Sequence, residues 1–173
     1  MTDPRAFLAS LADDRTALPP GFDCGAFALE NLDLLGSTDA EVRDELFYGT
    51  VNVWIQEGLM TARGMAGLLE AACGRDQLFR GIERPEGDEV FRRTFALLLI
   101  ASIIDRDNRA PALDAGRRSS ALEALLAWAE AERNTEGYLE RGGWAHSVAH
   151  GADALGAFFA GSEASGAGPG GCW

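Results

Sequence analysis

The chain of 173 residues contains no lysine; all fifteen of its basic residues are arginines. That excludes a Walker-type phosphate loop, whose lysine reaches the phosphates, and any Schiff base formed on this chain. Histidine is scarce too, with two residues, and cysteine occurs three times, as Cys24, Cys73 and Cys172, with no CxxC pair. An odd, scattered set of thiols is no disulfide framework and reads as the reduced cysteines of a cytoplasmic protein. The opening "MTDPRAFLASLADD" has no basic stretch leading into an apolar core, so a secretory signal is not expected. The longest apolar run, "FALLLIASII" at 95–104, reaches only about half of the roughly 20 residues a membrane-spanning helix needs.

Positive charge is outweighed by negative. Against the fifteen arginines stand 27 acidic residues, a formal net charge of −12. Such a chain repels nucleic acid and anionic membrane surfaces, and neither is an expected partner. A protein partner or self-association is left open, and no small molecule can be named.

What the sequence does have is helical periodicity. Apolar residues recur at spacings of three and four almost throughout, and no alternating strand pattern stands out. A first helix is expected over about 4–16, and "ALPPGFDCG" breaks the chain after it. A short segment follows over about 26–35. Thr38, with Glu41 three residues on, has the form of a capping box opening a helix with a Val42, Leu46, Gly49, Val53 stripe. Thr61 opens the next helix, and "RPEGDE" is a turn. The helix over about 87–105 is apolar on most sides and is expected to be central. "DRDNRAPALDAGRRSS" reads as a polar connection; its "DRDN" lacks the ligand and glycine positions of a calcium loop. Leu122, Leu125, Leu126 and Ala129 mark a further helix ending near Asn134. The expected architecture is all-α: stacked antiparallel helix hairpins, as a helical bundle or a short α–α superhelix, in a single domain over 1–161. The Gly/Ala/Ser-rich stretch 162–173 is expected to be a flexible tail.

The candidate site lies in "GGWAHSVAHGADAL", residues 142–155, which holds both histidines. On one continuous helix over 144–160, at about 100° per residue, His146, His150 and Asp153 share a narrow face, with small residues Ala149, Ala157 and Ala160 around them. Trp144, Val148, Leu155 and Phe159 then form the opposite, bulky face, expected to anchor the helix. Imidazoles at i and i+4 with a carboxylate at i+7 are a set that holds a divalent metal such as zinc, leaving a position for water. Ser147 replaces the glutamate of the HExxH pattern, so this is not that protease motif. Two other readings compete: a hydrogen-bonded network fixing the register of crossing helices, and a metal-free site in which Asp153 orients His150. Trp144, Arg92 and Tyr138 are the candidate ligand-binding residues. Arg92 or Arg93 would reach an anionic ligand or Asp153, while a Glu89–Arg93 pair on one helix is the plainer alternative. Asp44 and Glu45 read as an exposed helix face.

The pattern GWAH-x-x-AH-x-AD-x-L over 143–155 resembles the signature of a bacterial family, domain of unknown function twenty-seven eighty-five. "EVRDELFY", "DEVFRRTFALLL" and "ERNTEGYL" are similar to further pieces of that family in order and spacing, so the likeness spans about residues 30–160. It implies a helical protein with no assigned activity, in a form shortened after the motif, and it implies that Trp144, His146, His150 and Asp153 belong together. Two positions depart from the family: Asn134 and Glu136 stand where an Asp and an Arg are usual. The reading is a binding or scaffold module with a His/His/Asp site on its last helix; the rival is a metal-dependent, hydrolase-type enzyme using the same face.

Overall fold

The structure is a computed structural model that describes residues 3–84, 86–140 and 142–164, the last four as backbone only. It is all-α but for one small ribbon. The described elements are α1 (Pro4–Ser10), α2 (Cys24–Glu30), a 3-10 turn (Leu32–Gly36), a π-helical segment (Glu41–Tyr48) running into α3 (Gly49–Gln56), α4 (Ala62–Ala72), α5 (Glu89–Arg109), α6 (Ala115–Ala131) and α7 (Ser147–Ala164). Between α6 and α7 lies an antiparallel ribbon of β1 (Tyr138–Leu139) and β2 (Gly143–Trp144), with Tyr138 opposite Trp144.

The central helix is α5. Thirteen of its 21 residues are buried, which is why its sequence is apolar on most sides. It packs along α7 and also against α3, α4 and the 3-10 turn. Its Leu97, Ile100 and Ile103 are wholly buried in one core with Phe47, Trp54 and Leu68, each such side chain worth roughly 1.5–3 kcal/mol of transfer from water. Phe7, Phe22 and Phe27 tie α1, α2 and their connection to Trp54 through tilted and edge-on ring contacts. Thr61 caps α4 as its sequence suggests, accepting from the Gly64 amide at 3.0 Å.

Several local expectations are corrected. The Thr38 capping box does not form. Asp39 accepts from the amides of Glu41 and Val42 instead, and the segment it opens winds as a π-helix. With the wider winding ahead of α3, the buried residues come in pairs every four positions, Val42/Arg43, Leu46/Phe47, Thr50/Val51 and Trp54/Ile55. An α-helix alone would rotate a repeat of four steadily off the core. The first helix stops at Ser10. The polar connection after α5 shrinks to 110–114: α5 runs to Arg109, and α6 begins at Ala115 with Asp114 capping it. Asp107 makes that short link possible. Buried at the end of α5, it accepts from the amides of Ala112 and Leu113 at 2.7 and 2.8 Å and pairs with Arg118.

Helix α7 continues to Ala164, into the stretch expected to be a tail; residues 165–173, including Cys172, lie outside the described residues. Burial pushes the thiols of Cys24 and Cys73 up to about 11 and about 12, so both stay protonated and unreactive near neutral pH. No described helix is long and apolar enough to cross a membrane.

Candidate binding surface

The main correction concerns the last helix. Residues 144–160 do not form one continuous helix: Trp144 ends β2, His146 adopts a left-handed φ of 54°, and α7 starts at Ser147. The cause is tethering of the preceding loop. The Ala145 amide donates to the Gly137 carbonyl at 2.8 Å, Ala145 is wholly buried beside Val90 and Phe91, and the Ser147 hydroxyl donates to the Asn134 carbonyl at 2.6 Å. Held at both neighbours, His146 must turn the chain, and its carbonyl accepts the first helical bond from the His150 amide at 3.0 Å.

The face of α7 that meets the core is also turned by roughly 80° from the expected one, at about 100° per residue. Of the four expected anchors, Leu155 is the one that packs on the core. Ser147, Gly151, Ala154 and Phe158 are buried, while Trp144, Val148 and Phe159 are 59%, 61% and 62% exposed. Close approach explains this. A Cβ on Gly151 would lie 2.4 Å from the Trp128 ring, so the bulk at that crossing comes from α6 and only small residues fit on α7.

The loop between α6 and α7 rests on two buried arginines. Arg93 on α5 forks onto Glu132, its Nε and Nη2 donating at 2.7 and 3.0 Å, while its Nη1 donates to the Arg80 carbonyl at 2.8 Å. Glu132 also accepts from Trp128 Nε1 and from the amides of Arg133 and Asn134. Burial alone would raise the Glu132 pKa; the Arg93 guanidinium and these backbone donors outweigh it and hold the carboxyl below its usual value. Arg43, from the π segment, lies between the Phe91 and Phe95 rings at 4.2 and 4.8 Å and donates to the carbonyls of Ser37 and Gly142, each at 2.8 Å. Gly142 itself packs so tightly that a Cβ would lie 2.3 Å from Phe91.

On this support stands a ladder of rings. Tyr138 meets Trp144 edge-on at 5.1 Å between centroids, Trp144 stacks on His146 at 4.6 Å with planes 6° apart, and His146 meets His150 edge-on at 5.9 Å. The ladder ends at Asp153, whose carboxylate lies 3.3 Å from His150 Nδ1. Tyr138 and Trp144 are more than half exposed, and His146 is exposed. The sequence-derived candidates Trp144, Tyr138, His146, His150 and Asp153 thus come together, by a turn and a ribbon rather than by one helix face. No group of three or more His, Cys, Asp or Glu side chains among the described residues is arranged to hold a metal ion.

Arg92 is not brought to this surface. It pairs with Asp33 and, at 3.7 Å, with Glu89, and packs over Gly36. Glu89 accordingly serves Arg80 and Arg92, not Arg93. Asp44 is half-buried, lying 2.6 Å from Arg43 Nε; desolvation raises its pKa against the opposing Arg43 charge. The sequence reading missed Arg43, Glu132 and Asn134 as supports. The one available signal was that "EVRDELFY", "DEVFRRTFALLL" and "ERNTEGYL" each contribute a member of this buried network.

The fold and surface define a helical protein that displays an aromatic–imidazole ladder on a loop held by buried arginines. The family DUF2785, described as "Protein of unknown function", matches residues 78–167, half of the chain, and the chain belongs to it. That match covers α5, α6, the ribbon and α7; the π segment that supplies Arg43 lies ahead of it. No curated protein and no solved structure matches the chain.

Proposed function

We propose that the protein is a binding module whose recognition surface is the Tyr138, Trp144, His146, His150, Asp153 ladder, and that its partner is another protein. The observation that carries this reading is the burial pattern. Trp144 contributes little to the core at 59% exposed, yet buried charges at Arg43, Arg93 and Glu132 hold the loop that displays it. Large exposed aromatics on a stiff support are the composition of interaction hot spots. The test is reconstitution with a purified partner recovered through a photocrosslinker placed at Tyr138. Trp144→Ala should weaken binding at least about tenfold, the scale of a hot spot, while Leu59→Ala, at an exposed leucine elsewhere, should not. Equal loss in both, or in neither, removes the reading.

A second reading, a metal-dependent hydrolase with His146, His150 and Asp153 as ligands and a bound water as nucleophile, rests on the proximity of the two imidazoles and the acid. It requires these side chains to turn from the arrangement described above, which is not set to hold a metal ion. It predicts stoichiometric zinc, iron or manganese in untagged protein, lost in His146→Ala and His150→Ala. Metal-free protein with an unchanged melting temperature in chelator would reject it.

A further inference from the structure

Asp153 also lines an open groove of about 500 Å³ between the Tyr48–Gln56 face, α5 and α7. Tyr48, Asn52 and Gln56 follow one another at intervals of four, so they present one line of polar groups. Across from them are Ser102 and Asp105 of α5 and Asp153 of α7, with Ala101, Gly156 and Ala157 between. No residue of α7 on this wall is larger than aspartate, which keeps the groove open.

The polar groups divide into those that are used and those that are not. The Ser102 hydroxyl donates to Asn52 Oδ1 at 2.6 Å, and the Gln56 amide donates to the Ser102 hydroxyl and carbonyl at 2.8 and 3.1 Å. Arg109 bridges Gln56 Oε1 and Asp105, neutralising that carboxylate. Three groups have no protein partner among the described residues: the Tyr48 hydroxyl, the Asn52 amide N–H and Asp153 Oδ1. Burial, reinforced by the Asp153 charge, raises the Tyr48 pKa, so its hydroxyl remains a donor at neutral pH. Asp153 is the groove's one carboxylate without an arginine.

We infer that this groove binds a small hydroxylated amine, its ammonium on Asp153 and its hydroxyl between Tyr48 and Asn52. The lone carboxylate excludes an anion. It also gives too few charged oxygens for a hard divalent cation, which takes six or more oxygen ligands. The two neutral donors select a ligand with an oxygen acceptor beside its positive charge. This site is separate from the ring ladder and shares only Asp153 with it.

The test is an amide-resolved NMR titration of the full chain with ethanolamine hydrochloride at neutral pH, with ethylene glycol and magnesium chloride in parallel. For so small a probe, saturation is expected on the order of 1–10 mM, with shifts confined to the Asn52 side-chain amide and to Ala101, Asp153 and Gly156. Asp153→Asn should weaken binding at least about tenfold and Tyr48→Phe several-fold, with folding of each confirmed by its melting curve. Trp144→Ala should leave binding unchanged, which separates this site from the ladder and its protein partner. Shifts that persist in Asp153→Asn, equal shifts with ethylene glycol, the same shifts with magnesium, or loss on Trp144→Ala would each overturn the proposal. So would an absence of shifts at roughly ten times the expected concentration.

Discussion

Replacing Glu132 by glutamine should cost far more than a neutral, nearly isosteric change suggests. The side chains of Glu132 and Arg93 are 5% and 1% exposed, so solvent screening cannot soften the loss. Glu132 Oε2 accepts from Arg93 Nε and Trp128 Nε1, and Oε1 accepts from Arg93 Nη2 and the amides of Arg133 and Asn134. Every donor is matched to an acceptor-only group. Glutamine must place an NH2 against one of these sets, facing donors with a donor, and it leaves the buried Arg93 charge unbalanced. Removing one partner of a buried pair costs about 3–5 kcal/mol. For a chain of this size each kcal/mol lowers Tm by roughly 2–4 °C, so Glu132→Gln should melt about 6–20 °C lower. Arg93→Met should behave alike, and the Arg93→Met/Glu132→Met double variant should recover part of the loss, because no lone charge is then buried. The pH dependence has a definite sign. Because folding lowers the Glu132 pKa, its stabilisation is present above the usual glutamate value of 4.5 and is lost as pH falls through the folded value. The gap between wild type and Glu132→Gln should therefore be full near neutral pH and narrow on acidification below about pH 4.5. Thermal melts of both proteins from pH 7 to pH 3 would measure it. A Glu132→Gln variant within about 1 kcal/mol of wild type at pH 7 would refute the claim that this pair holds the loop.

Two glycines of α7 should respond oppositely to alanine. Gly151→Ala drives a methyl to 2.4 Å from Trp128 and should destabilise by about 1–3 kcal/mol, whereas Gly156→Ala meets open space and should stabilise by about 0.5–1 kcal/mol; equal responses in chemical denaturation would contradict the inner-face assignment. Trp144→Ala should change stability by less than about 1 kcal/mol while removing the near-ultraviolet dichroism of the Trp144–His146 stack, and a larger loss would mean that the ring supports the fold. Cys24 and Cys73 should resist a thiol-specific reagent at pH 8 in the native protein and react on unfolding; rapid native labelling of the Cys172→Ser variant would show that burial does not protect them.

How far the sequence carried this structure depends on the interaction involved. The central helix was legible because apolar periodicity on nearly all sides of 89–109 has one physical outcome, burial. The N-cap of α4 was legible because Thr61 and the Gly64 amide are three residues apart. That Trp144, His146, His150 and Asp153 lie together was legible, but not the geometry that joins them. Helical spacing put His146, His150 and Asp153 on one face, but that arithmetic assumes local propensity governs residues 144–147. It does not: the Ser147 hydroxyl and the Ala145 amide are held by Asn134 and Gly137, bonds that span thirteen and eight residues and leave no mark in local periodicity. The same blindness hid Arg43, whose bond to the loop reaches the Gly142 carbonyl, 99 residues away. The orientation of α7 was missed for a related reason. Hydrophobicity ranks Trp144, Val148, Leu155 and Phe159 as the anchoring side, and Leu155 does pack on the core, but the crossing with α6 is decided by volume, with Trp128 filling it and Gly151 yielding to it.

The sequence pieces that resemble the family gain a common explanation from these contacts. "EVRDELFY" contributes Arg43, which grips the Gly142 carbonyl; "DEVFRRTFALLL" contributes Phe91 beneath Gly142 and Arg93 on Glu132. "ERNTEGYL" contributes Glu132 and Asn134, and the His-containing piece contributes Ser147. Two stretches from far earlier in the chain thus converge on the loop from 132 to 147, which the other two form. A fold needing only a core would not bury three charged side chains to fix an exposed loop, since such groups cost several kcal/mol to desolvate and packed apolar residues serve as well or better. The arrangement follows if the positions of Tyr138, Trp144 and His146 matter for what they meet. Substitutions at the buried supports should then act in two ways at once, lowering stability and loosening the ladder, whereas substitutions in the ladder itself should affect binding alone.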